Sequence, residues 1–333
     1  MENYKPPYTI TNKIMNLSTE IMEKIGAVNY AINLNKNKMP ELRRKSMINS
    51  IHSSLAIEKN ELSVDQVKSV INGKLVMGKA KDIQEVKNAY KAYELMEKIN
   101  PYNEKDFKKI QGIMTEFIEQ DNGQYRSHGE GVFDGNIQIF VAPSEQMVPE
   151  LMGNLFDWLN REKQNVNPLI LSSVFHYEFV FIHPFSDGNG RTARYWQSAI
   201  LSHWKNIFEY IPIETMIKRN QNEYYKAIYD CNQKGDSTEF IEFMLTIIKN
   251  TVDETLKEQK NVTDVTENVT DDTIDKKIIE FIKKNNKISG QQMADNLKIT
   301  RRTIQRHLNT LKEKGVIERI GSDRTGYWKI LKQ

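Results

Sequence analysis

The sequence predicts a mainly α-helical protein with a small β-hairpin near its middle and a separate α+β module at its C-terminal end. Apolar residues recur at helical spacing through most of positions 1–250. At 131–141, instead, two apolar runs flank an Asp-Gly-Asn turn signal, which is typical of a hairpin. From 273 onward, three short helical patterns precede two strand-like runs. These observations divide the chain into a helical body and a smaller tail.

The helical body is predicted from apolar spacing. A repeat at 42–55 indicates one helix and a repeat at 107–117 another, while the continuous apolar stretch at 169–182 indicates a buried central helix. The residues of the two repeats are Leu42, Met47, Ile51 and Leu55 in the first, and Phe107, Ile110, Ile113 and Phe117 in the second. We divide this body into an N-terminal helical region at 1–100 and a core at 101–250.

The composition is that of an ordinary globular protein. Of its 333 residues, 39% are hydrophobic and 27% are charged, which argues against a disordered chain. No apolar run approaches the roughly 20 residues of a membrane-spanning helix. The first ten residues lack the apolar core of a secretory signal, and the single cysteine, Cys231, leaves no disulfide framework. We therefore expect a cytoplasmic protein with no membrane partner.

Charge is distributed unevenly along the chain. Residues 273–333 contain 15 Lys and Arg against 6 Asp and Glu, whereas residues 251–272 contain 2 against 7. The acidic segment ends in a low-complexity Asn-Val-Thr repeat without an apolar face, so we expect 251–272 to be a solvated linker. The basic tail at 273–333 points to a polyanionic partner for that part alone.

The densest chemical signal is the segment HPFSDGNGRTAR at 183–194. The apolar helix before it cannot continue simply through the proline, so His183 stands at a helix-to-loop corner. Its imidazole suits removal of a proton from an attacking hydroxyl. Gly188, Asn189 and Gly190 can turn successive backbone N–H groups inward, which makes a phosphate-binding nest at the start of a helix.

Three charged residues of the same segment suit the binding of a nucleotide. Asp187 supplies a hard oxygen ligand of the kind that Mg²⁺ prefers. Arg191 and Arg194 are three residues apart and share a helix face, from which both guanidinium groups can hold phosphate oxygens. Each part alone has a bland alternative as a turn, a cap or a surface charge. Together they indicate phosphoryl or nucleotidyl transfer.

This segment resembles the signature of the Fic family, HPFx(D/E)GNGRxxR, and matches it at every specified position. The resemblance implies that His183 is the base and that Asp187 binds Mg²⁺. It further implies that Gly188–Gly190 form an anion hole and that Arg191 and Arg194 hold the triphosphate of ATP. A Fic-fold helical core is the architecture that it implies.

The same resemblance implies which group of ATP is transferred. The kinase-like Doc branch of the family has Lys at the position of Gly190. Glycine here implies attack at the α-phosphorus, with pyrophosphate leaving. We therefore expect a protein adenylyltransferase that uses Mg-ATP to place AMP on a Ser, Thr or Tyr hydroxyl of a target protein, with self-modification.

A segment upstream resembles the inhibitory motif of one Fic class, (S/T)xxxE(G/N). In SSLAIEKN at 53–60, Ser54 and Glu58 match, whereas Lys59 replaces the usual Gly or Asn. The resemblance implies that Glu58 pairs with Arg194 and holds ATP in an unproductive pose. An ordinary capping or surface glutamate is the alternative. Similar family members use this Glu to position water for removing AMP, so a de-AMPylating hydrolase is a second hypothesis.

Other segments are similar to accessory parts of the family. Positions 123–126 and the hairpin at 131–141 resemble its flap, which implies docking of a target segment by strand addition; a plain structural hairpin is the alternative. Tyr224 and Tyr225 lie where relatives place a helix near the nucleoside, with core packing as the alternative. His176 is expected to be a packing residue. Relatives often dimerise, so a homodimer stays open.

The tail pattern at 273–333 predicts a winged helix-turn-helix, whose third helix begins after the capping residue Thr300. In this fold the third helix enters the major groove of DNA. The candidate DNA contacts are Arg301, Arg302, Gln305 and Arg306 on that helix and Arg324 in the wing. Winged helices also dock proteins, so that partner stays open. A third hypothesis is accordingly a DNA-binding regulator whose core senses nucleotide.

Overall fold

The computed structural model describes residues 4–34, 38–134, 137–267, 271–297, 299–321 and 326–331. By its contacts the chain divides into two compact units, Met1–Lys257 and Glu258–Gln333. Each unit has its own cluster of buried apolar side chains. The prediction of a mainly α-helical body with a smaller α+β module at the C-terminal end is confirmed.

The larger unit consists mainly of α-helices, with a β-hairpin in the connection between the fifth and sixth of them. In order they are α1 (Asn12–Leu34), α2 (Met39–Ile57), α3 (Val64–Ile71), α4 (Ala80–Tyr93), α5 (Glu104–Met114), α6 (Val148–Glu162), α7 (Pro168–Ile182), α8 (Asn189–Trp204), α9 (Ile213–Arg219), α10 (Gln221–Lys234) and α11 (Thr238–Glu267), with a 3-10 helix at Asn206–Tyr210. Helix α11 extends past the division between the units. Among the described residues, no helix combines the length and apolarity needed to span a membrane.

Helices α7 and α8 form the centre of this unit. The sequence of α7 is apolar on almost every side, as expected of a helix surrounded by protein. Asn167 fixes its start by accepting a hydrogen bond from the Leu169 amide (3.0 Å). The ring of Phe107 on α5 meets Phe179 of α7 and Trp196 of α8 edge to face. This packing holds the C-terminal end of α7, where the signature segment begins.

Helix α2 carries the segment that resembles the inhibitory motif. It ends at Ile57, with Glu58 as the cap residue and Lys59 in a left-handed conformation (φ 69°). The Asn60 amide then turns back to the Leu55 carbonyl (3.1 Å). This double turn is a Schellman motif, which normally has glycine at the left-handed position. It explains in backbone terms why the family pattern has Gly or Asn where this chain has Lys59.

The predicted hairpin is present. Strands β1 (Gly131–Asp134) and β2 (Ile137–Val141) pair antiparallel, with an irregularity in register between Val132 and Phe133. The turn residues Gly135 and Asn136 lie outside the described residues. The Ala142 amide donates to the Glu130 carbonyl (3.1 Å), which closes the base of the hairpin.

One predicted core position is wrong. The apolar repeat at 107–117 predicts that Phe117 continues the buried face of its helix, but α5 ends at Met114 and Phe117 is 80% exposed. Thr115 is the cap residue, and its hydroxyl donates to the Gln111 carbonyl (3.1 Å). The chain turns away after this cap, and Phe117 takes a left-handed conformation (φ 64°). Apolar spacing alone carries no signal for such an end.

The smaller unit has the order expected of a winged helix-turn-helix. Its elements are α12 (Asp271–Lys284), α13 (Gly290–Leu297), α14 (Arg301–Glu313), β3 (Ile317–Ile320) and β4 (Tyr327–Ile330), and the two strands pair antiparallel. The Thr300 hydroxyl caps α14 by accepting from the Thr303 amide (3.2 Å). Ile304 and Leu308 of α14 are buried with Ile278 of α12.

The predicted linker at 251–272 differs from the structure. Helix α11 runs into it as far as Glu267, and Val252 is fully buried in the core of the larger unit. The hydroxyls of Thr251 and Thr255 donate to the carbonyls one turn earlier (2.8 Å each), so these threonines lie on the buried face with their polar atoms satisfied. The linker prediction therefore begins too early. Residues 268–270 lie outside the described residues.

Candidate active site

The site begins where α7 ends. The chain turns at His183, which has a left-handed conformation (φ 50°), and its amide donates to the Phe179 carbonyl (3.0 Å). Pro184 follows and has no N–H with which to extend the helix. A left-handed backbone at a non-glycine residue costs about 1–2 kcal/mol, so other contacts must hold this corner.

Arg126 supplies those contacts. Its Nε donates to the His183 carbonyl (2.8 Å), its Nη1 to the His128 carbonyl (2.8 Å) and its Nη2 to the Pro143 carbonyl (2.5 Å). Its backbone amide donates to the Pro184 carbonyl (2.9 Å). Arg126 is 2% exposed, and burial lowers its pKa. This one side chain therefore joins the corner at His183 to the segments on either side of the hairpin.

The loop from 185 to 189 is closed by its own side chains. Asn189 accepts from the Phe185 amide through Oδ1 (3.1 Å) and donates to the Phe185 carbonyl through Nδ2 (2.6 Å). Gln111 of α5 donates to the Asp187 carbonyl (3.0 Å), and Ser186 donates to Asp121. The Asn189 side chain thus shapes the loop, and its backbone N–H is the part that can serve the anion nest.

Two glycines are required at the start of α8. Gly188 has φ 78°, and a Cβ there would lie 3.0 Å from the Cγ2 of Thr115. A Cβ at Gly190 would overlap the Oε1 atom of Glu58. The first amides of a helix lack partners within it and, with the helix dipole, attract an anion. The Glu58 carboxylate therefore lies against the end of α8 where an anion is favoured.

His183 is half-buried beside these groups. Burial lowers the pKa of His183, and the Val180 carbonyl and the Glu130 and Glu58 carboxylates offset part of that effect. Its Nδ1 atom is buried and has no hydrogen-bond partner among the described residues. The charge of the Glu58 carboxylate that lies against Gly190 thus also acts on the pKa of the imidazole. A neutral ring is the form that can accept a proton.

Asp187 lies at the edge of the nest with its side chain 33% exposed. Its carboxylate accepts from the Gly188 amide (2.6 Å) and pairs with Arg191 (2.8 Å). Burial raises the pKa of Asp187, but the Arg191 guanidinium, the Gly188 amide and the charge of Lys81 together hold the pKa below its usual range. An ionised, partly exposed carboxylate fits a magnesium ion that takes its other ligands from phosphates and water. No group of three His, Cys, Asp or Glu within the described ranges could hold a metal unaided.

Arg191 is engaged with carboxylates on two sides. Besides Asp187, it pairs with Glu85 of α4 (3.2 Å), and its side chain is only 6% exposed. Glu85 also accepts from the Asn60 Nδ2 (2.8 Å), so it links the loop after α2 to the signature segment. In this structure the Arg191 guanidinium is bound to the carboxylates of Asp187 and Glu85.

Arg194 meets the segment that resembles the inhibitory motif. Its Nε donates to the Ser54 hydroxyl (3.0 Å), and its Nη2 donates to the Ser54 carbonyl (2.9 Å) and to Glu58 Oε1 (2.9 Å). The Arg194 side chain is 1% exposed, whereas that of Glu58 is 36% exposed. Burial disfavours the charge of Arg194, but Glu58 raises its pKa overall. The structure thus has the Glu58–Arg194 pair that the sequence resemblance implies.

Several residues of the site escape sequence reasoning. Glu85, Asn60 and Gln111 hold the signature segment from outside it, and Arg126 holds its first residue. Glu85 and Gln111 stand in no local pattern that marks a role, because they reach the site only through tertiary packing. Asn60 and Arg126 lie at the ends of segments that resemble the family, but neither resemblance assigns them these contacts.

His176 and the two tyrosines have different surroundings. His176 is fully buried, with Nδ1 bonded to Gln197 (2.6 Å) and Nε2 to the Tyr224 hydroxyl (2.9 Å). Burial lowers the pKa of His176 to about 3, so the ring is neutral and serves packing. Tyr224 is 1% exposed, as the core-packing alternative expects. Tyr225 is 45% exposed.

The candidate DNA contacts of the smaller unit lie on the outer side of α14. Arg301, Arg302, Gln305 and Arg306 are exposed, whereas Ile304 lies in the core. Arg324, proposed for the wing, is outside the described residues.

Two family models match the chain. The Fic/DOC family model covers residues 101–201, and an HTH domain model covers residues 275–327. The first contains the signature segment, and the second contains the helix-turn-helix elements of the smaller unit.

Solved structures and curated proteins agree with this assignment. A Fic family protein from Desulfovibrio desulfuricans G20 is 36% identical, with a TM-score of 0.76 over 98% of this chain and 98% of that chain. A Fic domain containing signaling protein from Bacteroides thetaiotaomicron has the same fold (TM-score 0.61, 21% identity, 73% of this chain and 97% of that chain). The protein adenylyltransferase Fic of Nematostella vectensis is 25% identical over 253 residues, which are 72% of this chain and 57% of that protein.

The chain spans about half the length of the curated relatives that it matches. The near-complete correspondence with the Desulfovibrio structure nevertheless extends through the helical body and the C-terminal unit. This protein therefore belongs to the Fic/DOC family.

Proposed function

We propose that the protein is an autoinhibited adenylyltransferase that moves AMP from Mg-ATP to a Ser, Thr or Tyr hydroxyl of a protein, including its own chain. One observation supports this most directly: the Glu58 carboxylate bonds to Arg194 and lies against Gly190, inside the signature segment. Curated relatives named protein adenylyltransferase Fic support the class of reaction.

In this proposal His183 is the base. Its lowered pKa keeps the imidazole neutral near physiological pH, so it can accept the proton of the attacking hydroxyl. The hydroxyl oxygen bonds to the α-phosphorus of ATP, the bond from that phosphorus to the bridging oxygen breaks, and pyrophosphate leaves. The amides at Gly188–Gly190 stabilise the charge that develops on the phosphate oxygens.

Asp187 would hold the magnesium ion, which neutralises phosphate charge and assists the departure of pyrophosphate when it is bound. Arg191 keeps the Asp187 carboxylate ionised through their ion pair. Arg194 takes hold of the outer phosphates only after Glu58 has left it, since one guanidinium edge cannot serve both anions.

In this proposal Glu58 inhibits the reaction by its charge as well as by the space that it occupies. A phosphate approaching the end of α8 meets the negative charge of Glu58, and the cation that should receive it is already paired. Removal of the Glu58 carboxylate therefore frees both the nest and the Arg194 side chain.

Substitution at Glu58 tests the proposal. We expect Glu58→Gly to raise labelling of the protein by ATP labelled on its α-phosphate by at least about tenfold, as loss of 1.4 kcal/mol of inhibition would do. Adding His183→Ala should lower that labelling by about 10²–10⁴-fold. The matched control is Glu61→Gly, because Glu61 is a nearby exposed glutamate that pairs with Lys79 at the surface. A Glu58→Gly protein that takes no label in Mg-ATP contradicts the proposal.

A second candidate is hydrolytic removal of AMP from a modified protein. The 36% exposure of the Glu58 side chain favours it, because a carboxylate open to solvent can orient a water molecule. Release of AMP from a labelled target that disappears in Glu58→Gln supports this activity. Release that persists in that variant excludes Glu58 from it.

We also propose that the C-terminal unit binds DNA through α14. The HTH match and the exposed basic side chains of that helix support this. Replacing Arg301 and Arg302 together by Ala should reduce the dependence of log K on log salt by about 2, since each phosphate contact contributes about 0.9. The control is Lys283→Ala with Lys284→Ala on α12. Equal effects of the two pairs, or no binding at low salt, would exclude recognition by α14.

A further inference from the structure

The C-terminal end of α2 is held in an unusual way. Its last four carbonyls, from Ser54 to Ile57, have no acceptor role within the helix itself. The Ser54 carbonyl accepts from Arg194 (2.9 Å), and the Leu55 carbonyl accepts from the Asn60 amide (3.1 Å). The Ala56 carbonyl accepts from the Lys59 amide (3.3 Å). The Ala56 and Ile57 carbonyls also accept side-chain donors from a different part of the chain.

Those donors are Lys218, in the last turn of α9, and Gln221, at the start of α10. Lys218 Nζ donates to the Ala56 carbonyl (2.8 Å), and Gln221 Nε2 donates to the Ile57 carbonyl (3.3 Å). Lys218 also donates to Gln221 Oε1 (2.7 Å), which sets the orientation of that amide. A cation at the C-terminal end of a helix is favoured by the helix dipole as well. We call Lys218 and Gln221 the α2 clamp.

The α2 clamp lies directly before Glu58 in the chain. The Glu58 amide donates to the Leu55 carbonyl (3.0 Å), so its backbone follows the last turn of α2. The side chain reaches Arg194 from that backbone position. A shift of the helix end would therefore move the carboxylate relative to Arg194 and Gly190.

The rest of α2 has separate attachments to the α9 region. The Ser50 hydroxyl donates to the buried Glu214 carboxylate (2.6 Å), and the Ser53 hydroxyl donates to Thr215 (3.2 Å). Core residues such as Ile51 and Leu55 anchor the same helix. Loss of the clamp would thus loosen the end of α2 without detaching the helix.

We propose that Lys218 and Gln221 are positioning residues for Glu58 at the end of α2. They hold the last turn of α2 so that Glu58 meets Arg194, and weakening them lets Glu58 leave the end of α8 and raises the rate of AMP transfer. The inference rests on the proposed function and extends it to residues outside both the signature segment and the inhibitory motif. Gln221 of the α2 clamp and the exposed Tyr225 are one helical turn apart on α10.

The test compares labelling by α-phosphate-labelled ATP among full-length variants. Lys218→Met with Gln221→Ala should label about tenfold faster than the unchanged protein, since two hydrogen bonds that hold the inhibited state are lost. In a Glu58→Gly background the same pair of changes should have no further effect. That dependence separates positioning of Glu58 from a general effect on catalysis.

The controls define the role of the side chains. Lys218→Arg keeps a cationic donor and should keep labelling low. Arg219→Met removes the neighbouring cation, which pairs with Glu254 at the surface, and should leave labelling unchanged. If the double variant does not fold, Lys218→Met alone takes its place, with its thermal unfolding recorded beside the labelling rate.

The outcomes separate the two proposals. The clamp proposal is overturned if the Glu58→Gly protein is active and the clamp variant labels no faster than the unchanged protein. It is also overturned if the clamp changes raise the labelling rate equally in the Glu58→Gly background. Hydrogen exchange at the amides of 58–60 gives a readout independent of chemistry, and the clamp variant should exchange there faster. If the clamp variant exchanges faster at these amides while the Glu58→Gly protein is inactive, Lys218 and Gln221 do hold the end of α2. In that case the enzymatic proposal is rejected.

Discussion

At the residue scale, His183 combines a strained backbone conformation with a neutral imidazole ring. The left-handed corner at this residue is maintained by the Arg126 bond to its carbonyl. The buried surroundings disfavour the imidazolium form. Both features suit a base that must be uncharged before a hydroxyl arrives and must point in one direction.

The pH dependence of transfer follows from this. Because burial lowers the pKa of His183 below its ordinary 6.5, the ring stays neutral at pH values where a solvated histidine is charged. In the Glu58→Gly protein, kcat/KM should therefore fall on the acid side with a midpoint below pH 6.5. His203→Gln, at an exposed histidine of α8, should leave the midpoint unchanged. A midpoint above 6.5 would contradict this account of the base.

The sequence predicts the contiguous part of the site better than the dispersed part. His183, Asp187 and Arg194 stand in one segment whose order resembles a known signature, so their partners in chemistry can be inferred together. Gln111 and Glu85 cannot be inferred in this way, because nothing near them in the chain records which loop they will meet after folding. For Tyr224 the sequence leaves nucleoside contact and core packing both open, because burial depends on which helices pack around it, and in the structure it lies in the core.

At the element scale, the end of α2 is the part that meets the signature segment. Its Schellman turn places Lys59 in the left-handed region, and the carboxylate one residue earlier meets Arg194. A lysine at this position is tolerated because the turn is fixed by backbone bonds, yet its side chain adds strain that glycine would not.

Lys59→Gly should therefore stabilise the fold. Relief of the left-handed strain exceeds the entropy that glycine adds to the unfolded chain, and the expected gain is about 0.5–1 kcal/mol in the free energy of unfolding. The urea midpoint should rise without a change of slope. Lys68→Gly, the same change inside α3, should instead destabilise by about 1 kcal/mol. A loss at Lys59 as large as that at Lys68 would show that the turn does not need glycine.

Element boundaries were less predictable from sequence than the elements themselves. The break between α10 and α11 could be located because Gly235 takes the left-handed cap conformation that glycine favours. The end of α5 could not, since Thr115 ends the helix with a weak signal and Phe117 continues the apolar spacing by chance. The extension of α11 was missed because polar threonines can lie on a buried face when their hydroxyls bond within the helix.

At the scale of the whole molecule, the two units have separate apolar cores. The signature segment, α2 and the α2 clamp all lie within Met1–Lys257. The matched HTH domain lies within the other unit. The arrangement predicts that transfer and nucleic-acid binding can be separated by cutting the chain.

A fragment that ends at Lys257 should fold and retain transfer. In the Glu58→Gly background its labelling rate should equal that of the full chain, because every residue of the site and its supports is present. Its thermal unfolding should coincide with one transition of the intact protein, and DNA binding should be absent. A fragment that fails to fold would mean that the C-terminal unit completes the core of the larger one.

The guanidinium of Arg126 has a mechanical consequence. It grips the carbonyls of His128 and Pro143, which flank the hairpin, and with a third nitrogen the carbonyl of His183. A peptide strand that displaces the hairpin must either break these hydrogen bonds or move the backbone of His183 with it. In the proposed reaction, a target segment that docks on the hairpin would therefore be coupled through Arg126 to the backbone of the residue proposed to accept its proton.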